Sequence, residues 1–208
     1  MISIDDQPIS ATFFGEGRWL TDFVTPESLD IVKLHEKLAK GTSSMEDNIV
    51  RCWDWVASEI KYVKFVKGKV DIEGHTSYQD DLWNLPAVTA KIGVGNCANK
   101  SFLLSSLLRR ELASDKVYCV LGNLYNGKVG GHAWVQARLG GIDYILESTR
   151  SDVSMVPVAL ADRYEAVHLF NDERIYAIEG KTVLEPFTSC YSTWLRDYLN
   201  WNYIKGNG

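Results

Sequence analysis

The run from residue 98 to residue 112 constrains the fold of this 208-residue chain more than any other segment. Read as an α-helix, ANKSFLLSSLLRREL has apolar side chains around more than half of its circumference. A helix with so much apolar surface is buried in a core. The apolar residues are Ala98, Phe102, Leu103, Leu104, Leu107, Leu108 and Leu112.

Three segments of alternating apolar and polar residues follow this helix, at 116–123, 130–139 and 142–149. Such alternation is typical of strands with one buried face. Gly140 and Gly141 separate the last two segments, and a two-residue glycine connection indicates a β-hairpin. The sequence therefore predicts an α+β fold in which a buried helix packs on an antiparallel sheet.

The remaining segments give weaker signals. Ile49, Trp53 and Val56 predict an amphipathic helix that begins after Ser44 and ends near Ile60. Residues 60–68 predict a short strand that Gly68 ends, and 69–95 read as an irregular polar segment of functional character. Further on, 174–178 predict a strand and 189–203 an aromatic helix.

Composition sets the broad class. With 46% hydrophobic residues, we expect one domain spanning 1–208, with a core at about 43–150 and extensions at both ends. The formal charge of −5, with scattered Lys and Arg, predicts neither a nucleic-acid nor a membrane partner. The start lacks a secretory pattern, and about 18 consecutive apolar residues occur nowhere, so we expect a cytoplasmic protein.

The four cysteines are Cys52, Cys97, Cys119 and Cys190, and no two form a C-x-x-C pair. Widely spaced cysteines predict free thiols rather than a zinc site or a disulfide framework. Acidic residues between 71 and 81 lack the spacing of a calcium loop. We therefore expect no metal and no cofactor.

Cys97 is the best candidate for a nucleophile. It follows Gly93, Gly95 and Asn96 at the predicted start of the buried helix. The first N–H groups of a helix have no intrahelical acceptor, and they and the helix dipole favour a thiolate over a thiol. Buried structural cysteines are nonetheless common, so a catalytic role for Cys97 requires a partner.

A register argument supplies that partner. If Leu139 faces Ile142 across the hairpin, His132 lies opposite Thr149. Glu147 is two residues from Thr149, and side chains alternate faces with a period of two, so His132 and Glu147 share a face. A shift of one residue in the register would separate them.

The opposite face of the hairpin reads as core, with Ala133, Val135, Ala137, Leu139, Ile142, Tyr144 and Leu146. The face with His132, Gln136, Asp143 and Glu147 is more polar. A thiolate nucleophile, an imidazole that moves protons and a carboxylate that orients the imidazole form a working set for acyl transfer. Cys97, His132 and Glu147 fit these roles, although each residue type alone more often has a structural or solvent-facing role, and their joint arrangement is what favours catalysis.

These residues lie in segments that resemble the core of the transglutaminase-like superfamily. The segments are GVGNCANKSFLLSSLLRREL at 93–112, VYCVLGN at 117–123 and GGHAWVQARLGGIDYILESTR at 130–150, and they match a G-x-C helix start, an H-A-W strand and an E-x-T strand. DLWNLPAVTAKIGVGNC at 81–97 is similar to the lead-in of bacterial transglutaminase-like cysteine proteinases. The resemblance implies a papain-like α+β core with a Cys97–His132–Glu147 triad. The chain departs from the bacterial pattern at Asn96, Ala98 and Asn99, where acidic residues are frequent, and at Glu147, where Asp is more frequent.

An oxyanion formed by thiolate attack needs hydrogen-bond donors. The backbone N–H of Cys97 is one candidate, and the side chain of Trp83 or Gln79 is the second. Trp83 is equally compatible with a core position. Trp134, the tryptophan of the H-A-W strand, is a further pocket candidate.

The primary hypothesis is a cysteine peptidase or amidase that acts on a protein or peptide substrate through a thioester at Cys97. Transfer of the acyl group to an amine is the alternative within the same chemistry. A binding or scaffold module with a vestigial triad is an alternative from another class. A redox protein is a third, in which Cys119 approaches Cys97 in space.

Overall fold

The computed structural model describes residues 2–3, 11–13, 16–64, 66, 68–72, 75–79, 83–152 and 154–181. Within them lie four α-helices: α1 Leu29–Ala39, α2 Met45–Glu59, α3 Pro86–Ile92 and α4 Cys97–Leu108. The strands are β1 Ile2–Ser3, β2 Ala11–Phe13, β3 Glu16–Arg18, β4 Lys61–Tyr62, β5 Gly68–Ile72, β6 His75–Gln79, β7 Val94–Gly95, β8 Val117–Asn126, β9 Lys128–Leu139, β10 Ile142–Leu146, β11 Val156–Pro157, β12 Tyr164–Phe170 and β13 Ile175–Ala177. Short 3₁₀ helices lie at Leu20–Phe23 and Val158–Leu160.

Seven strands form one antiparallel sheet in the order β1-β13-β12-β8-β9-β10-β11. Helix α4 packs on its central strands β8 and β9. The α+β fold with a buried helix on an antiparallel sheet is therefore confirmed. No helix among the described residues combines the length and apolar character that a membrane crossing requires.

Helix α4 is buried on all sides. Every residue from Ala98 to Leu108 is buried, including those that are polar. Two of its serines have partners: Ser101 and Ser148 share a hydrogen bond of 3.0 Å, and Ser106 donates to the carbonyl of Phe102. Buried hydroxyls that are hydrogen-bonded avoid most of the cost of leaving water. The helix ends at Leu108, earlier than the predicted Leu112.

Helix α2 begins and ends close to the predicted residues. Ser44 is its N-cap and accepts a hydrogen bond from the Asp47 N–H, at 3.0 Å. Ile49, Trp53 and Val56 all point into the core, where they contact residues of α4. Ile60 is the C-cap, and the chain continues directly into β4, which pairs in parallel with β7.

Two predictions for the segment before α4 were wrong. The strand after Ile60 has only two residues, and Gly68 begins β5 instead of ending a strand. The segment 69–95 is not irregular, since it contains the β5–β6 hairpin and helix α3. The polar strands β5 and β6 lack a strong apolar period, and α3 has only seven residues, so pattern reading could not find them. The helix predicted at 189–203 lies outside the described residues.

The β9–β10 hairpin has the predicted register. Gly140 and Gly141 have φ of 56° and 84°, the left-handed values of a two-residue type I′ turn, and Leu139 pairs with Ile142. The pairing ends at Leu146 and Val135. Glu147 therefore follows the strand instead of lying within it.

The polar face of this hairpin is more apolar than the sequence indicates. Trp134 and Ile145 alternate with the polar positions and pack with residues of β8 and β12. Trp134 fits over Gly122 on β8, where any Cβ would come within 2.6 Å of the indole. A second core therefore lies behind His132, made of Val120, Trp134, Ile145, Ala161 and Leu169.

Candidate active site

The thiol lies at the first residue of α4. Gly93, with φ of 69°, ends α3, and β7 then leads directly into α4. Asn96 is the N-cap, and its side chain accepts a hydrogen bond from the Asn99 N–H at 3.0 Å. Cys97 is partly buried against a core cluster that includes Ala98 and Phe102. Its backbone N–H is one of the helix N–H groups without an intrahelical acceptor.

The uncharged residues beside the cysteine have structural partners. The side chain of Asn96 caps α4, and Oδ1 of Asn99 accepts from the backbone N–H of Asn84 at 2.7 Å. Both side chains are buried. Asn99 thus ties the start of α4 to the segment that precedes α3.

The imidazole and the carboxylate are in direct contact. Nε2 of His132 lies 2.8 Å from Oε2 of Glu147, and the two side chains are 12% and 7% exposed. His132 also shares a hydrogen bond with the Cys97 thiol. Since Nε2 faces Glu147, Nδ1 is the ring nitrogen that remains for the sulfur. The structure therefore brings together all three side chains of the predicted triad.

Hydrogen-bond donors surround the Glu147 carboxylate. Oε1 accepts from the backbone N–H of Thr149 at 2.9 Å and from its Oγ1 at 2.7 Å. Oε2 accepts from the hydroxyl of Tyr164 at 3.1 Å as well as from His132. The indole N–H of Trp53 donates to the backbone carbonyl of Glu147 at 2.7 Å. Both the side chain and the backbone of Glu147 are thus held in place.

These contacts shift the protonation of the pair. Burial lowers the pKa of His132, but hydrogen bonds and charges from Cys97 and Glu147 outweigh burial and raise this pKa above its usual 6.5. Burial raises the pKa of Glu147, but His132 and the hydrogen bonds from Thr149 outweigh burial and lower this pKa below its usual 4.5. Both shifts favour the charged forms of the two side chains.

A buried lysine lies on α4 one turn after Cys97. Lys100 is fully buried and donates to the carbonyls of Ala57 and Ile60, at the end of α2. Burial lowers the pKa of Lys100 to about 8, against the opposing charge of Glu147. A cation at a helix C-terminus stabilises the unpaired carbonyls there, so Lys100 joins α2 to α4 beneath the site.

The pocket candidates have different surroundings. Trp83 is 6% exposed and packs with its ring centroid 5.6 Å from Phe23 and 5.1 Å from Phe102. It therefore lies in the core cluster against which Cys97 packs. Trp134 is fully buried, with its ring stacked at 6.1 Å on His132. Gln79 is the last residue of β6, and its side chain lies outside the described part of the chain.

The other described cysteines are core residues. Cys52 and Cys119 are fully buried. Burial raises the pKa of both thiols, that of Cys52 to about 12. Cys190 lies outside the described residues. Within the described part of the chain, no three His, Cys, Asp or Glu side chains come together as a metal site.

Sequence reasoning missed three residues of the site. Tyr164 and Trp53 donate hydrogen bonds to Glu147 from positions 17 and 94 residues away, and no local pattern marks either one. Thr149 entered the register argument only as the residue opposite His132. Its position two residues after a candidate carboxylate was the available signal, because the hydroxyl of a threonine there can donate a hydrogen bond to that carboxylate.

Comparisons with known proteins give low structural similarity. No protein-family model and no curated protein matches the chain. Among solved structures, Legionella pneumophila LapG is 18% identical with a TM-score of 0.45, covering 81% of this chain and 94% of that one. Its calcium-bound form is 17% identical with a TM-score of 0.44, covering 81% and 98%. A protein described as a candidate cysteine protease from Cytophaga hutchinsonii is 17% identical with a TM-score of 0.43, covering 80% of this chain and 55% of that one.

Proposed function

We propose that this protein is a cysteine-dependent hydrolase that cleaves a peptide or carboxamide bond through a thioester at Cys97. The observation that carries the proposal is the continuous hydrogen-bonded series of Cys97, His132 and Glu147. A lone buried cysteine needs no such partners. An imidazole held between a thiol and an ionised carboxylate is the arrangement that thiol-dependent acyl transfer requires.

The first step is acylation. With the proton on His132, the Cys97 sulfur attacks the acyl carbon as a thiolate, and the carbonyl electron pair moves to oxygen. The tetrahedral intermediate collapses when the imidazolium gives its Nδ1 proton to the leaving amine, and the C–N bond breaks. Glu147 keeps Nε2 protonated throughout, so only Nδ1 exchanges protons with the reacting groups.

The second step is hydrolysis of the thioester. Neutral His132 now accepts a proton at Nδ1 from a water molecule, whose oxygen attacks the acyl carbon. The C–S bond breaks, the carboxylic acid leaves, and the thiolate and imidazolium are restored. In both steps the Cys97 backbone N–H, at the start of α4, is suited to bind the oxyanion.

Turnover by a cysteine variant tests the proposal. Purified wild type and Cys97→Ala are assayed on a panel of peptide, glutamine and other carboxamide substrates, following both carboxylate release and incorporation of an added amine. Cys52→Ala is the matched control, because it removes a buried thiol with no contact to His132. We expect Cys97→Ala to lose about a thousandfold or more in turnover and Cys52→Ala to retain it while folded.

The products separate the related activities. Carboxylate release without amine incorporation supports a hydrolase. Preferential incorporation of the amine would instead identify the protein as an acyltransferase. Full turnover by Cys97→Ala, or no turnover by the folded wild type across the panel, would contradict the proposal. The second result would favour a binding module.

A further inference from the structure

Tyr164 is half-buried at the start of β12, next to the His132–Glu147 pair. Its hydroxyl donates to Oε2 of Glu147 at 3.1 Å, the same oxygen that contacts Nε2 of His132 at 2.8 Å. With Thr149 on Oε1, the carboxylate accepts four hydrogen bonds, which is about its full capacity. Removal of the Tyr164 hydroxyl would leave His132 as the remaining donor on Oε2.

The tyrosine ring and backbone are themselves fixed. The ring packs edge-on against Trp134, with centroids 5.1 Å apart and an interplanar angle of 73°. Trp134 in turn stacks on His132. The backbone of Tyr164 pairs with Leu124 on β8, and its N–H donates to the carbonyl of Ala161. A hydroxyl on a side chain held in this way can fix the position of the group to which it donates.

We infer that Tyr164 is a positioning residue, which holds the Glu147 carboxylate in the orientation that keeps His132 aligned with Cys97. The inference rests on the proposed function for its catalytic meaning. Its hydroxyl is available as a donor at every relevant pH, because burial and the charge of Glu147 raise the pKa of Tyr164 well above its usual value. Tyr164 acts through Glu147, and its ring also lies beside that of His132, with centroids 6.3 Å apart, a contact that a Phe side chain keeps.

Other charges around the carboxylate and the phenol remain the same when the hydroxyl is removed. The positive charges of Lys100 on α4 and of Arg150 in the following loop interact with the carboxylate of Glu147. The positive charge of Arg163, the residue before Tyr164, interacts with the phenol. A Tyr164→Phe variant keeps all three cations and the ring that packs on Trp134. The difference between wild type and Tyr164→Phe thus reports the hydroxyl alone.

The test measures the imidazole and the thiol without any substrate. The protonation of His132 is followed by ¹⁵N NMR across pH, and the rate of Cys97 alkylation by iodoacetamide is measured at pH 6 and pH 9.5. Without the Tyr164 hydroxyl the carboxylate can rotate away from Nε2, so we expect Tyr164→Phe to lower the apparent pKa of His132 by about one unit and the alkylation rate at pH 6 by about threefold. At pH 9.5, where an ordinary thiol ionises unaided, the two proteins should agree within about twofold.

Tyr125→Phe is the matched control. The Tyr125 hydroxyl donates to another carboxylate, Glu165, at 3.0 Å, so its removal is the same chemical change without contact to Glu147. This variant should match wild type in both measurements.

If Tyr164→Phe folds and its apparent His132 pKa is unchanged or higher than that of wild type, the inference is wrong. If a substrate is found, kcat should fall in Tyr164→Phe with KM unchanged.

The proposed function and the role of Tyr164 can fail separately. An unreactive Cys97 in the wild type at pH 6 would count against the proposed function, while the His132 titration would still decide the role of Tyr164. Normal turnover with an unchanged His132 titration in Tyr164→Phe would count against the inference alone.

Discussion

Helix α4, which carries Cys97, is surrounded mainly by aliphatic and aromatic side chains, whereas the Glu147 carboxylate is surrounded by hydrogen-bond donors. Packing fixes the thiol, because α4 is buried on every side. Directional contacts from His132, Thr149 and Tyr164 fix the carboxylate. The difference suggests that changes around α4 should mainly alter stability, and that changes around Glu147 should mainly alter reactivity.

The two regions are also joined directly. Ser101, one turn after Cys97, shares its hydrogen bond with Ser148, the neighbour of Glu147. Trp53 of α2 reaches the Glu147 carbonyl, and Lys100 of α4 reaches the end of α2. These links set the distance between the thiol and the carboxylate through the same three elements, α2, α4 and the loop after β10.

The largest effect on reactivity is expected for Glu147→Gln. Glutamine keeps the size of the side chain but removes the negative charge. The imidazolium of His132 then has no charged partner, and its Nε2 has no carboxylate oxygen that accepts its hydrogen bond in a fixed orientation. We expect kcat/KM to fall about a thousandfold or more. Steady-state kinetics on a substrate of the wild type measures the loss. A Glu147→Gln variant with near wild-type kcat/KM would remove Glu147 from the triad.

The same variant reveals the contribution of the pair to stability. The folded pKa of His132 is raised, so its contribution is complete below pH 6.5 and is lost as pH rises through the folded pKa. The folded pKa of Glu147 is lowered, so its contribution is complete above pH 4.5 and is lost as pH falls through the folded pKa. Urea unfolding should therefore show the largest gap between wild type and Glu147→Gln at pH 4.5–6.5. A gap that is independent of pH would contradict these shifts.

A core change in α4 should have the opposite signature. Phe102 is fully buried among Phe23, Trp83 and Phe170, so Phe102→Ala removes a large side chain from a packed aromatic cluster. We expect the free energy of unfolding to fall by about 3–5 kcal/mol. In conditions where the variant stays folded, the pH dependence of Cys97 alkylation should match that of wild type. A large loss of thiol reactivity in the folded variant would show that packing also tunes the chemistry.

The smallest effect is expected for Thr149→Val. Valine has nearly the same shape and removes the Oγ1 donor, while the backbone N–H of residue 149 still binds Oε1. We expect kcat/KM to fall by roughly threefold to tenfold and the free energy of unfolding by less than about 1.5 kcal/mol. Thr149→Ser should restore most of the activity. A Thr149→Val variant that loses stability but keeps its activity would show that the contacts around Glu147 mainly support stability and not reactivity.

Local patterns predicted the thiol region well. The apolar surface of α4, the glycines and asparagine before Cys97 and the spacing in α2 all depend on residues within a few turns of one another, and local interactions decide such features. The register of the β9–β10 hairpin was predictable for the same reason, since two glycines fix a two-residue turn.

The surroundings of Glu147 could be predicted only in part. The hairpin register placed Glu147 near His132, but Tyr164 arrives through the pairing of β12 with β8, and Trp53 through the packing of α2. These contacts depend on tertiary structure, and neither residue type at its position signals a hydrogen bond. The β5–β6 hairpin was missed because its polar strands lack the apolar alternation that marks a half-buried strand.

The most direct test of the central claim compares iodoacetamide alkylation of Cys97 in wild type and His132→Ala from pH 5 to pH 9.5, with the modified residue identified by mass spectrometry. If His132 holds the proton of the thiol, wild type should keep most of its pH 9 rate at pH 6. His132→Ala should slow by about a hundredfold over the same interval, as an ordinary thiol does. An equally steep decline in both proteins would contradict a Cys97–His132–Glu147 triad.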